Sequence, residues 1–474
     1  MKKTFFLALV AIATGLSFSA CCNTSCNNAE CADSLTVSGL NPADFATDST
    51  ALYVLKNDAG MEVCFTNFGG RIVSIMVPDK DGNMQDVCLG HDNIADYVKY
   101  GAQGCNFGAL IGRYGNRIAK GQFTLDGNTY QLPINNGPNS LHGGGPIAFH
   151  NRIWEANQKD DKIIEFTTTS PDGEDGYPGN LDVKVTYALT EDNTLIINYF
   201  ANTDKPTVLN LTNHCYFNLS GDGSKDCLDE VLMLDADQFT AVDADVAVTG
   251  EVLAVEGTPF DFRTPTAIGD RINDETNEQI VNGVGYDHNW ILNTNCDLTK
   301  CFGTLYDPNT GIFMEMFTDQ PGVQFYAGNF LDGSFVGKKG VKYPRRSAFC
   351  FETQHYPDSP NHPEWPSTTL LPGENYMTTT MYKFSTKYYT IRINSNAASP
   401  TFRRSLLCFC CIPRAPIAAL QSTWQNGRVR LGNYTCEVDE VLQSKLQTSL
   451  QKSGNFFRGA IFCLLLTTNS KLFS

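Results

Sequence analysis

The most regular hydrophobic pattern in the chain runs from Leu181 to Tyr187, where Leu181, Val183, Val185 and Tyr187 are apolar and Asp182, Lys184 and Thr186 are polar. A period of two marks a strand with one face buried and the other wet. Strand-like segments begin near Ala51 and continue to about Ile393, and Asx-Gly pairs divide them at Asp81-Gly82, Asp126-Gly127, Asn136-Gly137, Asp175-Gly176 and Asp332-Gly333. Such pairs tolerate the positive φ angles that tight hairpins need. The pattern therefore predicts an all-β fold over residues 41–394, a large antiparallel β-sandwich, with no helix-rich second domain.

Past Asn394 the character changes. Phe402-Arg403-Arg404-Ser405-Leu406-Leu407-Cys408-Phe409-Cys410-Cys411 is basic and cysteine-rich, and no strand alternation is expected to continue. Cys408, Cys410 and Cys411 lack the downstream ligand pair of a zinc site. The apolar run Ala460 to Leu466 is far below the length of a membrane span. Residues 395–474 are expected to be an extension with no part in activity.

At the other end, Lys2 and Lys3 followed by the apolar run Phe5 to Leu16 form the charged and hydrophobic regions of a secretory signal, too short to span a bilayer. Phe18-Ser19-Ala20-Cys21 resembles the box of bacterial lipoproteins, in which small residues precede a cysteine that is lipidated after cleavage. Residues 1–20 are thus expected to be removed and Cys21 to carry a lipid that holds the protein at a membrane of the cell envelope, the only membrane contact expected. Plain secretion after Ser19 or Ala20 is the alternative. From Cys22 to about Leu40 the chain is small, polar and unpatterned, which suits a flexible tether.

Composition adds two constraints. The formal charge of −16 splits into +2 over residues 1–20, +6 over residues 395–474 and hence −24 over residues 21–394. So acidic a body would repel nucleic-acid phosphates, and no nucleic-acid partner is expected. The 17 cysteines include eight in the body, Cys64, Cys88, Cys105, Cys215, Cys227, Cys296, Cys301 and Cys350, whose irregular spacing fits small core residues rather than a disulfide framework.

Chemistry concentrates around Glu352, a carboxylate between an aromatic-rich run and the proline-punctuated loop Tyr356-Pro357-Asp358-Ser359-Pro360-Asn361-His362-Pro363. Three earlier segments carry polar residues in apolar company: Asn139-Ser140-Leu141-His142-Gly143-Gly144, Leu211-Thr212-Asn213-His214-Cys215-Tyr216-Phe217, and Gly285-Tyr286-Asp287-His288-Asn289. The glycines after His142 lack the lysine and the strand-to-helix setting of a phosphate loop, and they are expected to let backbone approach a ligand. His288, directly after Asp287 in a strand, should point to the opposite face and be structural, as should His91 and His150. His355 and His362 follow Glu352 in its loop and carry no assignment.

These segments resemble those of the aldose 1-epimerases, also called galactose mutarotases. The resemblance runs from about Val54 to Lys387 and includes Asn67-Phe68-Gly69-Gly70-Arg71, Gly112-Arg113-Tyr114-Gly115-Asn116-Arg117-Ile118, Asp175-Gly176-Tyr177-Pro178-Gly179 and Pro321-Gly322-Val323-Gln324-Phe325-Tyr326. It implies a galactose mutarotase-like supersandwich and the interconversion of α and β anomers of free aldoses such as galactose or glucose. No cofactor or metal is implied, the partner is a monosaccharide, and a monomer is the favoured state. Ring opening needs a base for the anomeric hydroxyl and an acid for the ring oxygen. By resemblance Glu352 is the base and His214 the acid, while Asn116, Arg117, His142, Asp287 and Gln324 hold the sugar. A carboxylate near His214 would favour its cation, and Asp287 is the expected source. Tyr114-Gly115, where many members carry smaller apolar residues, and Cys215 after the acid depart from the family without removing a named group.

Two other functions are weaker. A glycoside hydrolase needs two carboxylates flanking a glycosidic bond, whereas here one carboxylate is paired with a histidine. A surface carbohydrate-binding protein without turnover would have no use for an intact Glu352 and His214.

Overall fold

The computed structural model describes residues 35–387, together with short strands at Arg392–Ile393, Ser422–Gln425, Arg428–Leu431 and Tyr434–Glu437. Residues 1–20, Cys21, the tether up to residue 34, the cysteines at 408, 410 and 411 and the run at 460–466 lie outside the described residues.

Antiparallel strands dominate. A nine-stranded sheet places in order Glu155–Gln158, Ile163–Ser170, Leu181–Leu189, Thr194–Thr203, Tyr376–Thr386, Ile312–Thr318, Cys301–Tyr306, Val231–Leu234 and Thr266–Ala267. A six-stranded sheet runs Tyr216–Phe217, Phe349–Gln354, Gly322–Tyr326, Asp287–Ile291, Gln238–Val242 and Val248–Ala254. A four-stranded meander, Leu52–Lys56, Glu62–Thr66, Arg71–Pro78 and Met84–Asp86, comes first in the chain. The α-helices among the described residues are two short ones, Ile94–Gly101 and Glu278–Asn282. The all-β architecture expected from the alternation is what forms. Leu181–Leu189 buries its odd positions and leaves the even ones at least partly exposed, and Asp126-Gly127 closes a two-residue hairpin with both φ angles positive.

The core lies where the two large sheets face one another. From the nine-stranded sheet come Tyr187, Ile197, Tyr199, Met314, Met316 and Tyr382; from the six-stranded sheet Phe217, Trp290, Val323, Phe325 and Phe351; all belong to one buried cluster. Phe325 and Phe351 stack at 5.2 Å, and Tyr382 donates its hydroxyl to the Phe351 carbonyl at 2.9 Å. Burial of aromatic side chains this large dominates core energetics. It also anchors one face of the strand that carries Glu352, leaving the other face for polar groups.

Both ends of the domain differ from expectation. The chain is packed from about Thr36 rather than after Leu40: the Val37 N–H donates to the Glu62 carboxylate at 2.7 Å, and Ser38 and Leu40 are buried. That hydrogen bond, the buried Leu40 and a turn in which the Thr36 N–H donates to the Leu40 carbonyl at 3.0 Å and the Leu40 N–H to Thr36 Oγ1 at 2.9 Å hold a segment whose composition looks tether-like. In the tail, where no strand alternation was expected, the order is Arg392–Ile393, Tyr434–Glu437, Arg428–Leu431, Ser422–Gln425 in an antiparallel sheet. The missed signals are the two-residue connections Asn426-Gly427 and Gly432-Asn433, both hairpin sequences.

Candidate functional site

Opposed residues in an antiparallel pair share a face of the sheet, as do alternate residues along a strand. In the six-stranded sheet Asn289 pairs with Gln324 and Gln324 with Glu352, while Asp287 pairs with Tyr326 and Tyr326 with Cys350. Asp287, Asn289, Gln324, Tyr326, Cys350, Glu352 and Gln354 therefore lie on one face. His288, Trp290, Phe325 and Phe351 lie on the other, and His288 packs against Phe260 and Phe239 in the core. Gln324 donates its amide to Asp287 Oδ1 at 2.7 Å. Glu352 Oε2, Gln324 Oε1 and Gln354 Oε1 are buried acceptors without a hydrogen-bond partner among the described residues.

His214 reaches this face from the short strand Thr212–His214, which pairs with Ala109–Ile111. The Gly108 N–H donates to the His214 carbonyl at 3.0 Å, and Asn213, facing the other way, donates to the Gly108 carbonyl and the Tyr187 hydroxyl. Gly108 has φ +67°, and a Cβ there would stand 1.9 Å from the Ile72 carbonyl, so glycine is required for this contact. The imidazole stacks on Tyr216 with centroids 5.0 Å apart and meets Tyr326 edge-on at 6.3 Å. Its Nε2 is 3.6 Å from Glu352 Oε1, and both side chains are almost wholly buried.

The third wall is the pair Asn116 and His142. Each has a positive φ, +63° and +55°, unusual for residues other than glycine and here stabilised by reciprocal bonds. The His142 N–H donates to the Asn116 carbonyl at 3.0 Å, and the Asn116 N–H donates to His142 Nδ1 at 3.1 Å. The His142 ring meets His214 edge-on at 5.1 Å. Arg117, next in the chain, is buried with its Nε on Asn136 Oδ1 at 3.0 Å. The following glycines serve a different contact from the one expected. Gly143 has φ +90°, and a Cβ on it would stand 2.2 Å from the Gly112 carbonyl, so the close approach is to the protein's own backbone.

Burial dominates the electrostatics. It pushes the Glu352 carboxyl well above the usual range, the Asp287 charge adds to the rise, and Arg117 opposes it. Burial pushes His214 down to about 4, with the buried Arg71 guanidinium acting in the same direction. Burial likewise carries His142 well below its usual value, reinforced by repulsion from His214. Asp287 is raised by burial against the pull of Arg117 and the Gln324 hydrogen bond. The carboxylate beside His214 is Glu352, and the charge of Asp287 falls on Glu352 instead; the expectation that Asp287 favours the His214 cation is thus corrected by the register that sets Asp287 two strands away from Glu352 on the same face.

His142, His214 and Glu352 offer ligand atoms within 4.8 Å of one another, a donor set that a divalent cation can use. The Asn116 N–H works against this, because it occupies His142 Nδ1 and so leaves the neutral ring with its hydrogen on Nε2. That nitrogen faces the site as a donor, suited to a hydroxyl oxygen rather than to a metal.

All seven expected site residues, Asn116, Arg117, His142, His214, Asp287, Gln324 and Glu352, are buried. They meet through direct contacts or mutual electrostatic influence. His91 is buried outside this group, where its Nδ1 meets the Val336 carbonyl, while His150, whose carbonyl accepts from Arg71, is buried beside the group and repels the cations of His142 and His214 without a direct bond to either. His355 bonds Gln320 at 2.8 Å and His362 stacks on Trp365, so neither joins the cluster. Cys350, Tyr326, Asn289 and Gln354 were missed, and each lies two residues from an identified one, a spacing that strand periodicity makes informative. Tyr216 was missed as well.

Comparison with known proteins gives a consistent result. The aldose 1-epimerase family model matches residues 51–383. A galactose mutarotase of Bos taurus is 44% identical over 333 residues, covering 70% of this chain and 93% of the relative. An aldose 1-epimerase of Escherichia coli strain K12 is 38% identical over 336 residues, covering 70% and 94%. Among solved structures, an aldose epimerase homologue from C. elegans superposes with a TM-score of 0.66 at 31% identity, covering 72% of this chain and 100% of that one.

Proposed function

The chain belongs to the aldose 1-epimerase family and is an isomerase that interconverts the α and β anomers of aldoses; we propose that Glu352 and His214 carry out its two proton transfers. The observation behind this assignment is the 3.6 Å approach of Glu352 Oε1 to His214 Nε2 on a buried polar face.

From the charge-separated tautomer of the buried pair, carboxylate and imidazolium, reached when the Glu352 proton passes to His214 Nε2, Glu352 takes the proton of the anomeric hydroxyl while His214 Nε2 gives one to the ring oxygen. The C1–O5 bond breaks, the anomeric oxygen becomes the aldehyde carbonyl, and the protein is left with a carboxylic acid and a neutral imidazole. Rotation of the aldehyde by half a turn and reversal of both transfers close the ring as the other anomer. Burial favours the uncharged pair in both partners. The environment therefore assists the outward proton transfer, and Arg117 offsets this by favouring the carboxylate from which the cycle starts.

The remaining groups fix the sugar. Asp287 supplies an acceptor whose other oxygen is held by Gln324, His142 supplies its Nε2–H, and Arg117 supplies guanidinium donors beside Asn116. Free galactose and glucose are the proposed substrates. Polarimetry on freshly dissolved α-D-galactose and α-D-glucose tests the reading: the protein should shorten the relaxation to the equilibrium rotation, and an unchanged spontaneous rate would leave only binding.

The enzyme is also proposed to work at the cell envelope, held by a lipid on Cys21. Lys2, Lys3, the apolar run and the small residues before Cys21 support this. Radiolabelled palmitate fed to expressing cells should label the protein, and Cys21→Ala should abolish the label; a variant labelled as strongly as the parent would refute it.

A further inference from the structure

Cys350 and Glu352 are alternate residues of one strand and share its polar face. Together they bracket a single ring: Glu352 Oε1 lies 3.6 Å from Nε2 of His214, and Cys350 Sγ lies 3.4 Å from Nδ1. The other groups facing this imidazole are the rings of Tyr216, Tyr326 and His142 and the backbone carbonyl of His214 itself, with His150 and the Arg71 guanidinium farther off. We propose that Cys350 is a positioning residue for His214, its sulfur accepting the Nδ1 hydrogen so that Nε2 is the nitrogen that trades a proton with the sugar. This rests on the acid role assigned above.

In a histidine the hydrogen bond made by one ring nitrogen sets the protonation of the other. When His214 has given its proton to the ring oxygen from Nε2, the neutral ring must keep Nδ1–H, and a buried N–H needs an acceptor. Cys350 Sγ is placed for this. Its own thiol stays protonated, because burial pushes its pKa well above the ordinary value and the charges of Glu352 and Asp287 add to the rise. A protonated thiol is a weak acceptor. It holds the hydrogen in place without making the imidazole strongly basic, which a carboxylate at the same position would do. The ring therefore remains acidic enough to protonate the weakly basic ring oxygen of a sugar.

The test is the tautomer of His214, read by nitrogen-15 NMR on protein labelled in its seven histidines, with His214 assigned as the signal missing in His214→Asn. The parent protein at pH 7 should show hydrogen on Nδ1 and a bare Nε2. In Cys350→Ala the tautomers should mix, and kcat should fall roughly tenfold, about 1.4 kcal/mol in the barrier, with KM within about twofold. Cys350→Ser, which restores an acceptor, should recover the parent tautomer and most of the rate. A parent ring with its hydrogen on Nε2, or a Cys350→Ala protein with parental tautomer and kcat, would overturn the proposal. The NMR reading needs no turnover, so a failure of the epimerase assignment shows separately in polarimetry. If Cys350→Ala does not fold, the parent tautomer and Cys350→Ser decide.

Discussion

Replacing Glu352 by Gln changes one oxygen to an amide nitrogen and leaves the side-chain shape intact. Tertiary contacts should survive, since Oε2 has no partner to lose and Oε1 only faces Nε2 of His214. What disappears is the capacity to accept a proton. General-base catalysis contributes on the order of 10² to 10⁴ in rate, or about 3–5 kcal/mol of barrier. The expected outcome is a kcat lowered by at least a hundredfold, with KM for α-D-galactose changed by less than about fivefold because the groups proposed to hold the sugar are untouched. His214→Asn should cost a similar factor. Since the two groups trade protons with one substrate in one step, the double variant should be little worse than either single one, as for residues that act as a unit. Stability should not fall, because a buried group held against ionisation is being replaced by a neutral one. Polarimetry gives the rates and urea titration the stabilities. A Glu352→Gln enzyme within threefold of the parent, or a double variant whose loss is the product of the single losses, would show that the proton transfers have been assigned to the wrong groups.

Asp287→Asn removes the negative charge that raises the Glu352 pKa; the base should then ionise at lower pH, and the acidic limb of kcat/KM should move to lower pH while KM rises. His288 is buried with its pKa pushed down to about 3 by desolvation. The unfolded chain therefore binds a proton that the native protein refuses between pH about 6.5 and about 3. Stability is complete above that window and is lost as pH falls through it, so His288→Leu should reduce the slope of unfolding free energy near pH 5, measured with urea, by about 1.4 kcal/mol per pH unit. Ending the chain at Asn394 should leave the anomerisation rate unchanged, and a folded but inactive product would assign the tail a role.

Strand periodicity and turn chemistry were legible without coordinates because they depend only on neighbours in the chain. Leu181–Leu189 alternates as its sequence does, and Asp126-Gly127 turns where its residues permit positive φ. His288 facing away from Asp287 follows from the same rule of two. The short tail strands were missed because their apolar positions are few, although Asn426-Gly427 marked a hairpin.

Composition and order in the chain determined that this is an all-β protein, and its motifs determined the family and which side chains deserved attention. Only the tertiary structure decided what those side chains do to one another. Residues 116, 142, 214, 287, 324 and 352 come from separate strands and loops, and their meeting depends on register across the six-stranded sheet and on Gly108 admitting the His214 strand. Charge effects followed the same division. That Asp287 acts on Glu352, and that Cys350 touches the nitrogen of His214 opposite the one near Glu352, are matters of distance and burial, which no local sequence pattern encodes.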